Sequence, residues 1–197
     1  MKIVNEGDFK NKKTLVRVDF NVALGPEGKV VNDFRIVKTM PTINFLAANG
    51  AIVVLMSHLE AEDGPASLRP VARHLSEMLG RPVKFLQNCV GEKTREEISR
   101  AAAGEIILLE NLRFHEGEKQ NDAGFAAELA KNGDCYVNEA FSCCHRAHAS
   151  IAGVPRLLPS YGGMLLAEEI DSLQKIVKDP ARPLVAIIGG VKMDTKA

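Results

Sequence analysis

The sequence predicts an open α/β fold in which a mostly parallel sheet carries helices on both faces. Three observations predict it: short apolar runs without a polar face, amphipathic stretches between them, and a steady alternation of the two along the chain. Such runs are typical of strands buried on both sides. Strand, helix, strand repeats of this length imply parallel pairing and a three-layer arrangement.

Six apolar runs are expected to be strands. In chain order they cover residues 14–18, 51–56, 83–86, 106–109, 135–137 and 184–188. The last run is followed by only nine residues, 189–197, so no helix is left to cover it, and we expect that something further belongs downstream.

Helical spacing of apolar residues marks the stretches between the strands. Two stripes are clear, Ile36, Met40, Ile43 and Leu46, then Leu68, Val71, Leu75 and Met78. Ser67 is the expected cap of the second helix and Gly80 its stop. Thr94 and Glu97 predict a capping box, and Asp122 predicts the cap of a helix that carries Phe125 and Leu129 up to Gly133. A last stripe consists of Leu166, Ile170, Leu173 and Val177.

Composition narrows the classes of function. The 197 residues are 46% hydrophobic, which suffices for a buried core. The 25 Lys and Arg balance 25 Asp and Glu, so we expect no nucleic-acid partner, and any anion site must be local. No run approaches the roughly 18 apolar residues of a membrane span, so we expect no membrane partner and a cytoplasmic location. Cys89, Cys135, Cys143 and Cys144 show no paired spacing and predict free thiols.

Polar side chains follow four of the predicted strands. Asp19 and Asn21 follow the first, Ser57 and His58 the second, Glu110, Asn111 and Arg113 the fourth, and Asn138 and Glu139 the fifth. Ligands of open α/β sheets bind outside the carboxyl ends of the strands, so these residues are expected at one rim. Arg35, at a helix start, and His145, Arg146 and His148, beyond the fifth strand, add cations. A small polyanion is the natural ligand, because arginine forks match phosphate and carboxylate oxygens.

Each of these residues also has a purely structural interpretation. Arg35 alone is more typical of a surface ion pair. Asp19 and Asn21 are typical turn residues, and His58 fits a hydrogen-bonded histidine at a strand end. Arg113 is the hardest to explain in this way, because it follows an apolar strand directly.

Five segments carry a family resemblance. They are RVDFNV at 17–22, MSHL at 56–59, LENLRFH at 109–115, HRAHAS at 145–150 and GGVK at 189–192. In order and spacing they closely resemble segments of the phosphoglycerate kinase family, over essentially the whole chain, and five motifs in register are far more specific than one glycine-rich loop. The family fold is Rossmann-like, in agreement with the predicted layers.

The resemblance implies roles for particular residues. It implies that 3-phosphoglycerate or 1,3-bisphosphoglycerate is held by Asp19, Phe20, Asn21, Arg35, Ser57, His58, Arg113 and Arg146. It implies that Gly189, Gly190, Lys192 and Lys196 begin a nucleotide-phosphate site, and that Arg35, Lys192 and Lys196 assist phosphoryl transfer. The complete enzyme would use Mg-ATP or Mg-ADP, with none expected to bind tightly to this chain. We call Arg35, His58, Arg113 and Arg146 the anion cradle.

The resemblance also divides the chain. Residues 1–164 are expected to be the phosphoglycerate-binding domain, 165–180 an interdomain helix, and 181–197 the first strand and loop of an otherwise absent nucleotide-binding domain. We therefore expect weak substrate binding and no turnover by this chain alone.

One loop departs from the family pattern. Where the family usually reads His-Leu-Gly-Arg-Pro, residues 58–62 read HLEAE, which removes an arginine and adds carboxylates. Loss of one charge-assisted hydrogen bond predicts about ten- to a hundredfold weaker binding. Arg69 or Arg73 is a candidate for compensation.

Two other patterns favour different functions only weakly. Cys143, Cys144, His145 and His148 resemble a metal cluster, but adjacent cysteines rarely close on one tetrahedral ion, so we expect no metal site. Gly189, Gly190 and Lys192 do not make a P-loop. Two alternatives to the kinase interpretation stay open: a non-catalytic anion-binding or interaction protein derived from this fold, and an α/β domain whose rim charges are only structural.

Overall fold

A parallel sheet forms the centre of the structure. The computed structural model describes residues 2–178 and 180–185. Its strands are β1 (Lys13–Arg17), β2 (Ile52–Met56), β3 (Glu60–Ala61), β4 (Gly64–Pro65), β5 (Val83–Leu86), β6 (Ile106–Leu109), β7 (Cys135–Asn138) and β8 (Ser160–Gly162). Within the described ranges, β3 and β4 form a separate antiparallel hairpin and the other six strands form one sheet in the order β5-β6-β2-β1-β7-β8.

The register of the sheet brings the strand ends together. All its pairings are parallel. Arg17, the last residue of β1, pairs with Met56, the last of β2, and with Asn138, the last of β7. The segments that leave these strands therefore start side by side at one edge of the sheet.

Helices connect the strands and flank both faces. They are α1 (Phe34–Ala48), α2 (Arg69–Leu79), α3 (Glu92–Ser99), α4 (Glu116–Gln120), α5 (Ala123–Ala130) and α6 (Met164–Lys178). Short 3₁₀ turns lie at Val4–Glu6, Pro26–Gly28, Leu112–Phe114, Phe141–Cys143 and Val154–Arg156, with a π turn at Ala149–Gly153.

Two hydrophobic cores lie on opposite faces of the sheet. Alternate residues of β1 point to different sides, so Val16 enters one core and Leu15 the other. The first core contains Ile43 of α1 and Val71 of α2, whereas the second contains Leu129 of α5. The predicted three-layer fold is confirmed.

Several details of the predicted elements need correction. The helix α3 begins at Glu92 with Gly91 as its N-cap, so Thr94 and Glu97 lie inside the helix and do not form the predicted capping box. The Thr94 hydroxyl instead donates to the Val90 carbonyl. The N-cap of α2 is Leu68, not Ser67. The predicted ends at Gly80 and Asp122 are confirmed: Gly80 adopts a left-handed conformation (φ 62°), and the Asp122 carboxylate accepts from the Phe125 N–H at 2.7 Å.

The sixth strand is not the predicted one. It is Ser160–Gly162, which pairs with β7. Of the predicted strand at 184–188, Leu184 and Val185 belong to no strand, and 186–188 lie outside the described residues. The predicted helix before it is α6, which ends at Lys178, and its stripe is buried only at Leu166, because Leu173 and Val177 are exposed.

Across the described part of the chain, none of the helices combines the length and hydrophobicity that a membrane span requires.

Candidate anion-binding site

The turn after β1 is fixed by a buried hydroxyl. Ser57 donates to the Val18 carbonyl and accepts from the Phe20 N–H, both at 2.9 Å. Ser57 and Phe20 are fully buried, whereas Asp19 keeps a small exposed fraction and Asn21 is partly exposed. The place of Ser57 and Phe20 in the structure is that of positioning residues.

Asp19 and Arg35 form an ion pair at the edge of the site. The Arg35 Nη1 lies 2.5 Å from Asp19 Oδ2, and the Ser142 hydroxyl donates to the same oxygen at 2.5 Å. The Arg35 side chain, at the start of α1, is half exposed, whereas that of Asp19 is nearly buried. The surface ion pair that the sequence suggested is therefore present, but it lies at the rim and leaves Arg35 accessible.

His58 is a buried, neutral hydrogen-bond donor. Arg17 Nη2 lies 3.1 Å from His58 Nδ1. Because a guanidinium only donates, Nδ1 must accept, and the ring proton is on Nε2. Burial and then the Arg17 guanidinium lower the pKa of His58 from 6.5 to about 3. The interpretation of His58 as a hydrogen-bonded histidine at a strand end agrees with this contact.

Arg17 is a site residue that rim position alone did not identify. It is 1% exposed and lies inside β1. Its guanidinium contacts Ser150 Oγ at 2.9 Å and the Val18 carbonyl in addition to His58. The Ser150 hydroxyl donates in turn to Glu118 Oε1 at 2.5 Å, so a serine hydroxyl bridges buried charges of opposite sign. The signal in the sequence was an arginine inside an apolar strand, within the first family motif.

Arg113 is held by a backbone turn and carries its own counter-ion. Its N–H donates to Asn111 Oδ1 at 2.9 Å, which starts the 3₁₀ turn Leu112–Phe114. The Arg113 side chain is 9% exposed, and its Nη1 donates to Glu60 Oε1. Among the described residues, its buried Nε has no hydrogen-bond partner.

The hairpin that carries Glu60 is attached to the rim. Asn111 Nδ2 donates to the carbonyls of Leu59 and Ala66 at 2.6 and 2.7 Å. The Glu60 N–H donates to Asn21 Oδ1 at 2.9 Å, so a predicted ligand residue positions the hairpin.

Arg146 is exposed on the loop after β7. Its Nε donates to His145 Nε2 at 3.2 Å. Burial is the first cause of the lowered pKa values of His58 and His148, and the positive charge of Arg146 also contributes to both.

Two rim carboxylates face helix N-termini rather than the cradle. Glu110 accepts from the Leu68 N–H at 2.9 Å, ahead of α2. Glu139 accepts from the N–H groups of Leu165 and Leu166 at 3.1 and 3.3 Å, in the first turn of α6. Free N–H groups at a helix start and the helix dipole both favour a carboxylate there. Neither of these two carboxylates therefore pairs with a cradle arginine.

A groove of about 530 Å³ adjoins Arg35 between α1 and α6. Asp19, Lys38 and Glu139 line it together with the apolar side chains of Phe34 and Leu173. The site thus continues from the arginine-rich rim into a mixed apolar groove.

Arg69 and Arg73, the candidates to replace the arginine that residues 58–62 lack, make their contacts away from the anion cradle. The guanidinium of Arg69 lies over the Phe85 ring, 4.7 Å from its centroid, near the edge strand β5. Arg73 lines a different groove with Gly28 and His74. Neither contact is with the cradle.

Asp19, His58 and Cys143 bring possible metal-ligand atoms within 4.8 Å of one another. This trio differs from the cysteine and histidine cluster seen in the sequence. Arg17 Nη2 already contacts His58 Nδ1 at 3.1 Å and Cys143 Sγ at 3.9 Å. Because a fixed positive charge lies against two of the three atoms, the trio does not suit a metal cation.

The predicted nucleotide-site residues Gly189, Gly190, Lys192 and Lys196 lie outside the described residues.

The fold and site together define an α/β domain with arginine donors and a neutral histidine donor at the carboxyl edge of a parallel sheet. The sequence model of phosphoglycerate kinase matches residues 4–197. The chain belongs to the phosphoglycerate kinase family.

Individual relatives agree with this assignment. The phosphoglycerate kinase of Wolbachia sp. subsp. Drosophila simulans (strain wRi) is 48% identical over 192 residues, which cover 96% of this chain and 48% of the relative. That of Borrelia duttonii (strain Ly) is 46% identical over 200 residues, covering 100% of this chain and 51% of the relative. The chain spans about half the length of these curated relatives.

Solved structures agree as well. The crystal structure of phosphoglycerate kinase from Pyrococcus horikoshii OT3 superposes with a TM-score of 0.91 at 32% identity, over 98% of this chain and 50% of that one. The structure of the enzyme from Coxiella burnetii gives 0.81 at 35% identity, over 98% and 49%.

Proposed function

We propose that this chain is the 3-phosphoglycerate-binding part of a phosphoglycerate kinase. The reaction moves a phosphoryl group between ATP and the carboxylate of 3-phosphoglycerate, which gives 1,3-bisphosphoglycerate. Family membership supports the reaction class, a glycolytic role and a cytoplasmic location. The observation that carries the proposal for this chain is that Arg35, His58 and Arg113 converge at one rim while Glu110 and Glu139 face helix N-termini.

The geometry suits positioning and charge stabilisation. A phosphate ester carries roughly −1.5 to −2 charge at neutral pH. Arg113 offers a buried guanidinium with an unused Nε, and His58 offers a neutral Nε2–H with fixed orientation. Arg35 is accessible beside these donors, so it is the residue that we propose to steady the transferring phosphoryl group. Phosphoryl transfer requires mainly such positioning and electrostatic stabilisation.

Mg-ATP or Mg-ADP would supply the transferred or accepting phosphate. We propose that Gly189, Gly190, Lys192 and Lys196 contribute to its site, with the remainder on a nucleotide-binding domain that corresponds to the other half of the relatives' length. The division into residues 1–164, an interdomain helix at 165–180 and the start of a second domain at 181–197 is part of this proposal.

An NMR titration with 3-phosphoglycerate tests the binding proposal. We expect saturable shifts of the side-chain N–H signals of Arg35, Arg113 and His58. The exposed Arg100 on α3, which pairs with Glu96, serves as an internal control and should not move. Shifts that fail to saturate, or that appear equally at Arg100, would show that the rim charges are only structural.

A non-catalytic anion-binding role is the second candidate, favoured by the Glu60–Arg113 pair inside the site.

A chimera in which this chain replaces the matched half of the Wolbachia relative distinguishes the kinase role from the non-catalytic role. We expect ATP-dependent turnover of 3-phosphoglycerate by the chimera and none by this chain alone. A folded, ATP-binding chimera without turnover would favour the non-catalytic role, and turnover by the chain alone would contradict the proposed division of labour.

A further inference from the structure

Glu60 is the carboxylate that pairs with Arg113 in the candidate site. Its Oε1 accepts from Arg113 Nη1 and lies 3.7 Å from Lys119 Nζ. The Arg113 hydrogen bond, ahead of other causes, lowers the pKa of the Glu60 carboxyl, so the side chain is an anion at neutral pH. The site therefore contains a carboxylate from the chain itself, which is paired with Arg113.

Arg113 is the fixed member of the pair. Its side chain is 9% exposed, and its backbone is anchored through Asn111. The unpartnered, buried Nε shows that Glu60 uses only part of the donor capacity of the guanidinium, within the described residues. A tetrahedral anion with several oxygens would use more of the fork than one carboxylate oxygen does.

Glu60 is the movable member. Its side chain is 30% exposed, more than three times as much as that of Arg113, and it lies on a strand of two residues. The backbone is held by the Glu60 N–H bond to Asn21 Oδ1, which does not involve the carboxylate. The carboxylate is therefore free to rotate into solvent while the hairpin stays in place.

We propose that Glu60 is an internal competitor, an affinity-setting residue that neutralises Arg113 and must be displaced by any anion that binds there. The inference rests on the proposed function for the identity of the natural anion. The free energy needed to displace Glu60 is a property of the protein and is the same for every ligand. It therefore lowers the affinity of every anion that binds at Arg113 by the same factor.

Calorimetric titration of the full 197-residue chain tests this competition. Wild type and Glu60→Gln are each titrated with 3-phosphoglycerate and with inorganic phosphate at fixed ionic strength. We expect Glu60→Gln to bind both about tenfold more tightly, which corresponds to about 1.4 kcal/mol. Glu62→Gln, a neighbouring exposed carboxylate in the same hairpin turn, is the matched control and should change either affinity less than about twofold.

The outcomes separate the two proposals. If 3-phosphoglycerate binds equally to wild type and Glu60→Gln, competition is refuted and the proposed function stands. If phosphate gains about tenfold but 3-phosphoglycerate binds neither protein, competition stands and the proposed substrate is wrong. If neither anion binds either protein, both proposals fail. Glu60→Ala takes the place of Glu60→Gln if thermal unfolding shows that the latter does not fold, and an equal gain in Glu62→Gln refutes the assignment to Glu60.

Discussion

The buried imidazole of His58 makes the free energy of unfolding depend on pH. Burial, with the Arg17 guanidinium beside it, lowers the pKa of His58 from 6.5 to about 3. The folded chain keeps the ring neutral over a range in which the unfolded chain protonates it. The pKa of His58 is lower in the folded chain than in the unfolded chain. The contribution of the neutral ring to the free energy of unfolding is therefore complete above pH 6.5 and is lost as the pH falls toward about 3.

The size of the effect follows from proton linkage. Well below the unfolded pKa, the unfolded chain binds one more proton than the folded chain, and the free energy of unfolding falls by about 1.4 kcal/mol per pH unit. Titration is incomplete close to the unfolded pKa, so the loss between about pH 6.5 and 4.5 comes to about 2 kcal/mol.

The loss in the free energy of unfolding is measured by urea unfolding at these two pH values, with circular dichroism as the readout. Glu and Asp residues contribute to the pH dependence of all variants, so the comparison is with His58→Gln, whose side chain does not titrate. We expect the wild type to lose about 2 kcal/mol more than His58→Gln on acidification. His145→Gln, at an exposed histidine on the loop after β7, controls for removal of a histidine as such and should follow the wild type. Equal losses in wild type and His58→Gln would refute the assignment of a buried neutral imidazole.

Three further predictions concern the rim. A Cβ at Gly163 would lie 1.7 Å from Glu139 Oε2, so Gly163→Ala should lower the free energy of unfolding by about 2 kcal/mol or more; an unchanged thermal midpoint would contradict the tight contact. Glu110→Ala removes the acceptor ahead of α2 and should cost about 1 to 3 kcal/mol in urea unfolding, whereas Glu62→Ala, at an exposed position, should stay within about 0.5 kcal/mol. Ala61→Arg restores the family residue and should tighten 3-phosphoglycerate binding by about tenfold or more in calorimetry; unchanged affinity would mean that the loop is misaligned with the family.

Local signals in the sequence account for much of the fold. The apolar run at 106–109 matches β6, whose four residues are all buried, because a central strand of a parallel sheet has no polar face to interrupt the run. The run at 83–86 matches β5, an edge strand on which Lys84 is exposed. Gly80 ends α2 because the left-handed conformation there favours glycine. Ser160–Gly162 escaped prediction because its three residues carry little apolar side chain, and it becomes a strand only by pairing with β7.

The location of the site was predictable, but the states of its residues were not. That Asp19, His58 and Arg113 each follow a predicted strand is visible in the sequence, and parallel strand ends share an edge. That these strands are neighbours in the sheet is known only from the structure. The neutral state of His58 depends first on burial and then on Arg17, 41 positions away. The Glu60–Arg113 pair joins residues 53 positions apart, and the bond from the Leu68 N–H to Glu110 ahead of α2 joins residues 42 positions apart. Such contacts depend on packing that no local pattern encodes.

We propose that the anion cradle binds 3-phosphoglycerate through the Arg113 guanidinium. The most direct test of this claim is the calorimetric dissociation constant of 3-phosphoglycerate for wild type, Arg113→Gln and Arg100→Gln. Arg100 has a 69% exposed side chain on α3 and serves as the matched control. We predict that Arg113→Gln weakens binding by about ten- to a hundredfold, while Arg100→Gln leaves it unchanged. Equal affinities of wild type and a folded Arg113→Gln would contradict the claim.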